Sequence, residues 1–231
     1  MPSIEDLFDR MDSWRHFPNY QLERRADLFF SLYLPQVIQK KTGHKIKPRF
    51  VPEFPVRIGA IYPEKPTDKS FKIDYVTVTD NGERAFLVEL KTDAASRRDS
   101  QDHYLLASKQ AGMNNLLDGV LQIFRATNAK RKYACLLEEL EEMSLIKLPQ
   151  AFKNIAQQRS LRGINKASLD IKIISRIKQC DILYVQPSGE GEHIISFADF
   201  AAAIENLDDP FAQRFAISLR EWAAVKAGER G

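Results

Sequence analysis

At 231 residues with 44% hydrophobic content, the chain is long enough to bury one substantial core and reads as a single mixed α/β domain. A formal charge of +3 and a sequence pI near 8.8 permit a nucleic-acid partner without demanding one. No window approaches the roughly eighteen apolar residues of a membrane span, and Met1 to Asp6 lacks the basic start and apolar core of a signal peptide, so a cytoplasmic protein is expected.

Ser3 and Asp6 form a capping pair for a short helix through about Met11. Pro18 and Asn19 open a second helix, whose Leu22, Ala26, Phe29, Phe30 and Tyr33 recur at helical spacing. Glu23 and Asp27 lie along the border of that stripe. Pro35 begins a further helical piece that ends near Gly43. Lys47 to Arg57 holds Phe50, Val51, Phe54 and Val56 as a first strand, and Pro48, Pro52 and Pro55, which lack ladder donors, make it an edge or irregular one. Residues 63–70 read as an exposed loop.

A hairpin follows. Phe71 to Thr79 alternates as a strand, Asp80-Asn81-Gly82-Glu83 supplies an Asn-Gly turn, and Arg84 to Lys91 returns. Asn-Gly favours a two-residue type I′ loop, which would pair Asp80 with Glu83 and thereby Val76 with Leu87, Asp74 with Glu89, and Lys72 with Lys91. Like charges directly opposed on a ladder are destabilising, so two facing carboxylates call for a retained proton, neighbouring lysines or a divalent cation. Mg²⁺ suits the last, since it takes one or two carboxylates and keeps several waters. Lys91 would then lie beside a metal-bound water, able to orient it or to stabilise the charge that builds on phosphate.

Ile73-Asp74, fourteen residues, then Glu89-Leu90-Lys91 resembles the core motif of the PD-(D/E)XK nuclease superfamily, the restriction-endonuclease-like enzymes. Ile73 stands where the motif's name puts proline. The resemblance implies a core of helix, three-strand meander, helix and strand, with Asp74 and Glu89 as ligands of Mg²⁺ or Mn²⁺ and Lys91 as the catalytic amine. It also implies a glutamate from the first core helix near the metal, for which Glu23 is the closer match and Asp27 the fallback; Glu53 is a second candidate acid.

After Lys91 a polar loop carries Arg97 and Arg98, which could grip DNA phosphates. A helix from Asp99 or Ser100 to about Arg125 has an apolar face of Tyr104, Leu105, Leu116, Leu117, Val120, Leu121 and Phe124. Gln101-Asp102-His103-Tyr104 resembles the Gln-x-x-x-Tyr element of the exonuclease-like branch one residue short, which makes Gln101 an auxiliary candidate and His103 a bystander or phosphate contact. Residues 129–143 and 148–158 read as helices.

Between Lys147 and Lys178 eight basic residues stand against Asp170 alone, and the stretch reads equally as a phosphate-neutralising surface or as a face balanced by Glu138, Glu139, Glu141 and Glu142. Residues 180–186 and 192–197 look like late strands joined by a Pro-Ser-Gly turn, and Asp199 to Leu207 and Pro210 to Lys226 like closing helices. The single domain thus has a core at about 19–126 plus the late strands at about 180–197, with helical additions at 129–160 and 199–228.

Cys135 and Cys180 lack metal-like spacing and suit a reduced compartment. Gly-x-Ser-x-Gly, His-Glu-x-x-His and P-loop patterns are absent from the sequence. The expected function is a Mg²⁺-dependent DNA nuclease of restriction, repair or mobile-element type; the competing readings are a non-cleaving nucleic-acid-binding module and a protein-interaction domain. Symmetric double-strand cutting would favour a homodimer, and no segment marks its interface.

Overall fold

The computed structural model describes residues 3–65, 67–93, 99–156 and 169–224. Its helices are α1 (Ile4–Trp14), α2 (Leu22–Thr42), α3 (Ile58–Ile61), α4 (Asp99–Ala126), α5 (Lys130–Glu142), α6 (Gln150–Ala156), α7 (Phe197–Ile204) and α8 (Pro210–Ala224). Its strands are β1 (Ile46–Arg57), β2 (Ser70–Thr79), β3 (Arg84–Leu90), β4 (Ile146–Lys147), β5 (Lys172–Ile173), β6 (Gln179–Gln186) and β7 (Ile194–Ser196). The protein is mixed α/β, with a five-stranded mixed sheet in the order β1-β2-β3-β6-β7 and a separate β4-β5 ribbon. No described helix is long and apolar enough to cross a membrane. Two compact units are present, one of residues 1–46, 88–99 and 183–231, the other of residues 47–87 and 100–182.

In the first unit α1 starts with the expected capping box: the Asp6 N–H donates to Ser3 Oγ and the Ser3 N–H to Asp6 Oδ2. The buried face of α1 meets α8 through rings, with Phe8 centred 5.2 Å from Phe211 and 5.7 Å from Phe215. Arg214 on α8, only 8% exposed, fastens the same pair of helices. Its guanidinium donates to Glu5 at 2.7 Å, Asp9 at 2.8 Å, Asp12 at 2.9 Å and Ser218 at 2.7 Å, and Trp222 Nε1 donates to Asp12. One cation thus satisfies three carboxylates of α1 beside an aromatic core.

Pro35 does not restart the chain: α2 runs unbroken through it to a left-handed Gly43 at φ 71°, whose N–H donates to the Gln39 carbonyl. A proline inside a helix forfeits one backbone bond and crowds the preceding turn. The buried Tyr33, Leu34, Val37 and Ile38 on either side of it outweigh that loss, since each full burial of a large apolar side chain contributes about 1.5–3 kcal/mol. The late strands depart from a simple turn as well. β6 and β7 pair in parallel, Tyr184 with Ile194 and Gln186 with Ser196, so residues 187–193 carry the chain back along β6 before β7 starts. A pairing of three residues is short enough to allow that return in a brief connection, where longer parallel pairs need a crossover.

In the second unit β1 takes the edge of the sheet order, as its three prolines require. Glu53 adopts φ 50° within it, a left-handed position that non-glycine residues seldom take. The turn between β2 and β3 differs from the type I′ expectation. Gly82 is left-handed at φ 69°, but Asn81 is not among the described non-glycine residues with positive φ, and type I′ needs both. Instead the Gly82 N–H donates to the Thr79 carbonyl, while Thr79 Oγ1 and Asn81 Oδ1 accept from the Arg84 and Glu83 N–H groups. The side chains of Thr79 and Asn81 thus organise the loop, and the predicted pairing of Asp80 with Glu83 loses its type I′ warrant. Helix α4 also differs, broken at Gly112 with φ 76° and ψ 160°.

Candidate functional site

Strand β3 is buried along almost its whole length, which brings Glu89 and, just past its end, Lys91 into the interior. The Lys91 N–H donates to the Val185 carbonyl of β6 at 2.8 Å, so its backbone is fixed by the sheet although strand geometry has ended. Lys91 Nζ lies 2.8 Å from Glu89 Oε1, with side-chain exposures of 5% and 2%. Glu23, in the first turn of α2, brings its Oε2 to 4.0 Å from the same amine and remains 37% exposed. Its place at a helix N-terminus is favourable for a carboxylate, because the unpaired N–H groups there carry partial positive charge.

One amine is therefore flanked by two carboxylates, one sealed and one open to solvent. Removing a carboxylate and an ammonium from water costs several kcal/mol per ion after relaxation, and hydrophobic residues of similar volume would often serve stability as well. Groups of this kind concentrate where chemistry is done. Two residues beyond Lys91, Asp93 lies in the field of Arg15, whose guanidinium burial pushes below its ordinary value while Asp12, Asp93 and Glu221 act in the opposite direction.

The structure brings together Glu23, Glu89 and Lys91 within the first unit. Asp27 is half-buried on α2, its Oδ1 accepting the N–H of Leu28. Asp74 is half-buried on β2, and Gln101 is half-buried in the first turn of α4, both in the second unit. Glu53 is 63% exposed and paired with Lys72 at 2.6 Å. His103 is exposed. The Tyr104 ring is stacked 4.7 Å from Phe71 and its hydroxyl donates to the Lys72 carbonyl. Arg97 and Arg98 lie outside the described residues, as do Arg159, Arg162 and Lys166 of the basic stretch.

The donors of this site are hard carboxylate oxygens, the type that Mg²⁺ and Mn²⁺ take. Among the described residues no group of three or more His, Cys, Asp and Glu is placed to hold a metal ion. An ion held by one or two carboxylates, with water completing its shell, is compatible with that donor set.

A second buried carboxylate went unnoticed in the sequence. Asp181 on β6, 7% exposed, accepts hydrogen bonds from Arg84 and from Gln179, and Lys109 lies 3.4 Å away. The signal was an acid inside the apolar run Cys180-Asp181-Ile182-Leu183. Comparison with protein-family models, with curated protein sequences and with solved structures returns no match to this chain.

Proposed function

We propose that this protein is a Mg²⁺- or Mn²⁺-dependent nuclease that hydrolyses DNA phosphodiester bonds. The observation that carries the reading is the sealed Glu89–Lys91 pair at the end of β3, with Glu23 at its open side. The order of the elements supports it: a helix, three sequential strands adjacent in the sheet, a long helix, and a later strand beside the third. That is the order expected of a restriction-endonuclease-like core. The spacing of Asp74 from Glu89-Leu90-Lys91 supports it independently.

In this reading Glu89 would be a ligand of the ion within the first unit, and the ion would lower the pKa of water and offset charge on the phosphate. Lys91, oriented by Glu89, donates hydrogen bonds to the attacking water or to a phosphate oxygen and supplies positive charge where the transition state gains negative charge. Glu23, 4.0 Å from the same amine and itself partly exposed, balances its charge from the open side. Burial limits the freedom of Lys91, so little reorganisation is needed as the reaction proceeds.

The test is cleavage of linear, nicked, branched and single-stranded DNA with Mg²⁺ or Mn²⁺, against a chelator control. Cleavage that stops in chelator and is lost in a folded Lys91→Ala variant, with DNA binding retained, is expected. DNA binding without cleavage under either metal would replace this reading with a non-cleaving binding module. Neither binding nor cleavage would leave a protein-interaction domain.

A further inference from the structure

Lys147 and Lys172 are direct cross-strand partners in the antiparallel β4-β5 ribbon, and both are exposed. Like charges in that arrangement are destabilising. The chain after β5 extends the same theme. From Ile171 to Lys178 exposure alternates, with Lys172, Ile174, Arg176 and Lys178 outward and Ile171, Ile173, Ser175 and Ile177 half-buried. The outward face is therefore a row of cations interrupted by one isoleucine, 45% exposed.

The row is held in place. The N–H groups of Ile174 and Ser175 both donate to the Leu145 carbonyl, and the Lys178 N–H donates to the Glu83 carbonyl just before β6 begins. Counter-charge is partial: Asp170 lies 3.4 Å from Lys172, Glu83 is 2.6 Å from Lys178, and Glu141, which feels Lys147, is already paired with Lys153 at 2.9 Å. Exposed pairs such as Lys172–Asp170 contribute little and exchange readily for another anion. Lys147, Lys172 and Arg176 are the cations on which the strip depends.

We infer that β4, β5 and the chain from Ile174 to Lys178 form a backbone-gripping strip for DNA, neutralising phosphates without reading bases. A polyanion relieves the repulsion between Lys147 and Lys172, and Arg176 adds a further exposed cation for a phosphate chain. The inference takes DNA as its ligand from the proposed function and is otherwise independent of catalysis.

The experiment is fluorescence anisotropy of a labelled 24-base-pair duplex with the full chain in chelator, across a salt series. The triple variant K147Q/K172Q/R176Q should bind more than tenfold more weakly at low salt. Its slope of log affinity against log salt should flatten by about 2.7, since each lost phosphate contact removes about 0.9. Lys69→Gln, an exposed lysine elsewhere in the same unit, should leave the slope unchanged. The inference is overturned by an unchanged slope in the triple variant, by no duplex binding in the native chain, or by strip-dependent binding to phosphatidylserine vesicles in place of duplex. Because no cleavage is read, loss of binding in the triple variant stands even if the native chain proves unable to cut, and retained cutting stands even if the strip proves inert.

Discussion

Lys91 Nζ and Glu89 Oε1 lie 2.8 Å apart with both side chains almost wholly removed from water. Removing one member of such a pair strands the other charge, at a cost of about 3–5 kcal/mol, whereas replacing both by apolar residues is often neutral or stabilising by about 1–4 kcal/mol. Lys91→Met alone should therefore lower the urea midpoint sharply, while Glu89→Leu with Lys91→Met should unfold at or above the native midpoint. The double variant should be inactive in every cleavage assay. A double variant as unstable as the single one would mean that the pair is kept for the fold.

Gly112 predicts a second effect. Its φ of 76° and ψ of 160° lie where glycine is nearly the only residue tolerated, and an added Cβ there meets open space. Gly112→Ala should cost about 1–3 kcal/mol through the backbone alone, read as a lower urea midpoint with an unchanged slope. A native-like midpoint would show that α4 can straighten at this point.

What could be read in the chain, and what could not, divides along the range of the interactions. The Ser3–Asp6 box, the proline-bearing β1 and the extents of β2 and β3 depend on neighbours a few residues away, and alternation, capping and missing donors report them directly. The uninterrupted path of α2 through Pro35 depends on burial that local propensity does not register, so tertiary packing overrides the break signal. The same holds for the parallel β6-β7 pairing and for the ribbon that sets Lys147 against Lys172. At the site, the Glu-x-Lys pattern marked Glu89 and Lys91, but not that the two would bond each other: alternation puts them on one face of a strand and says nothing of the distance between their charged ends.

The two cysteines should separate cleanly by reactivity. Cys135 is exposed, whereas burial pushes the Cys180 thiol up to about 11, which leaves almost no thiolate at neutral pH. An aromatic disulfide reagent at neutral pH should react quickly with one thiol per chain and reach two only in denaturant. Equal rates for both in the folded protein would mean that β6 opens readily around Cys180.

Asp181 gives the acid limb of stability its direction. Burial alone would push its carboxyl up, but hydrogen bonds from Gln179 and Arg84 and the nearby Lys109 outweigh it and hold the group below the usual carboxylate range. With a folded value lower than the unfolded one of about 3.9, the unfolded chain takes up the proton first on acidification. The stabilisation is thus fully present above the unfolded value and is lost as pH falls through the folded one. Asp181→Asn should reduce stability at neutral pH, because Arg84 then loses its carboxylate partner in a mostly buried setting, and the gap between variant and native chain should narrow as pH falls below about 4. Urea unfolding at a series of pH values measures that gap. A gap that stays constant into the acid range would assign the effect of the substitution to packing and not to charge.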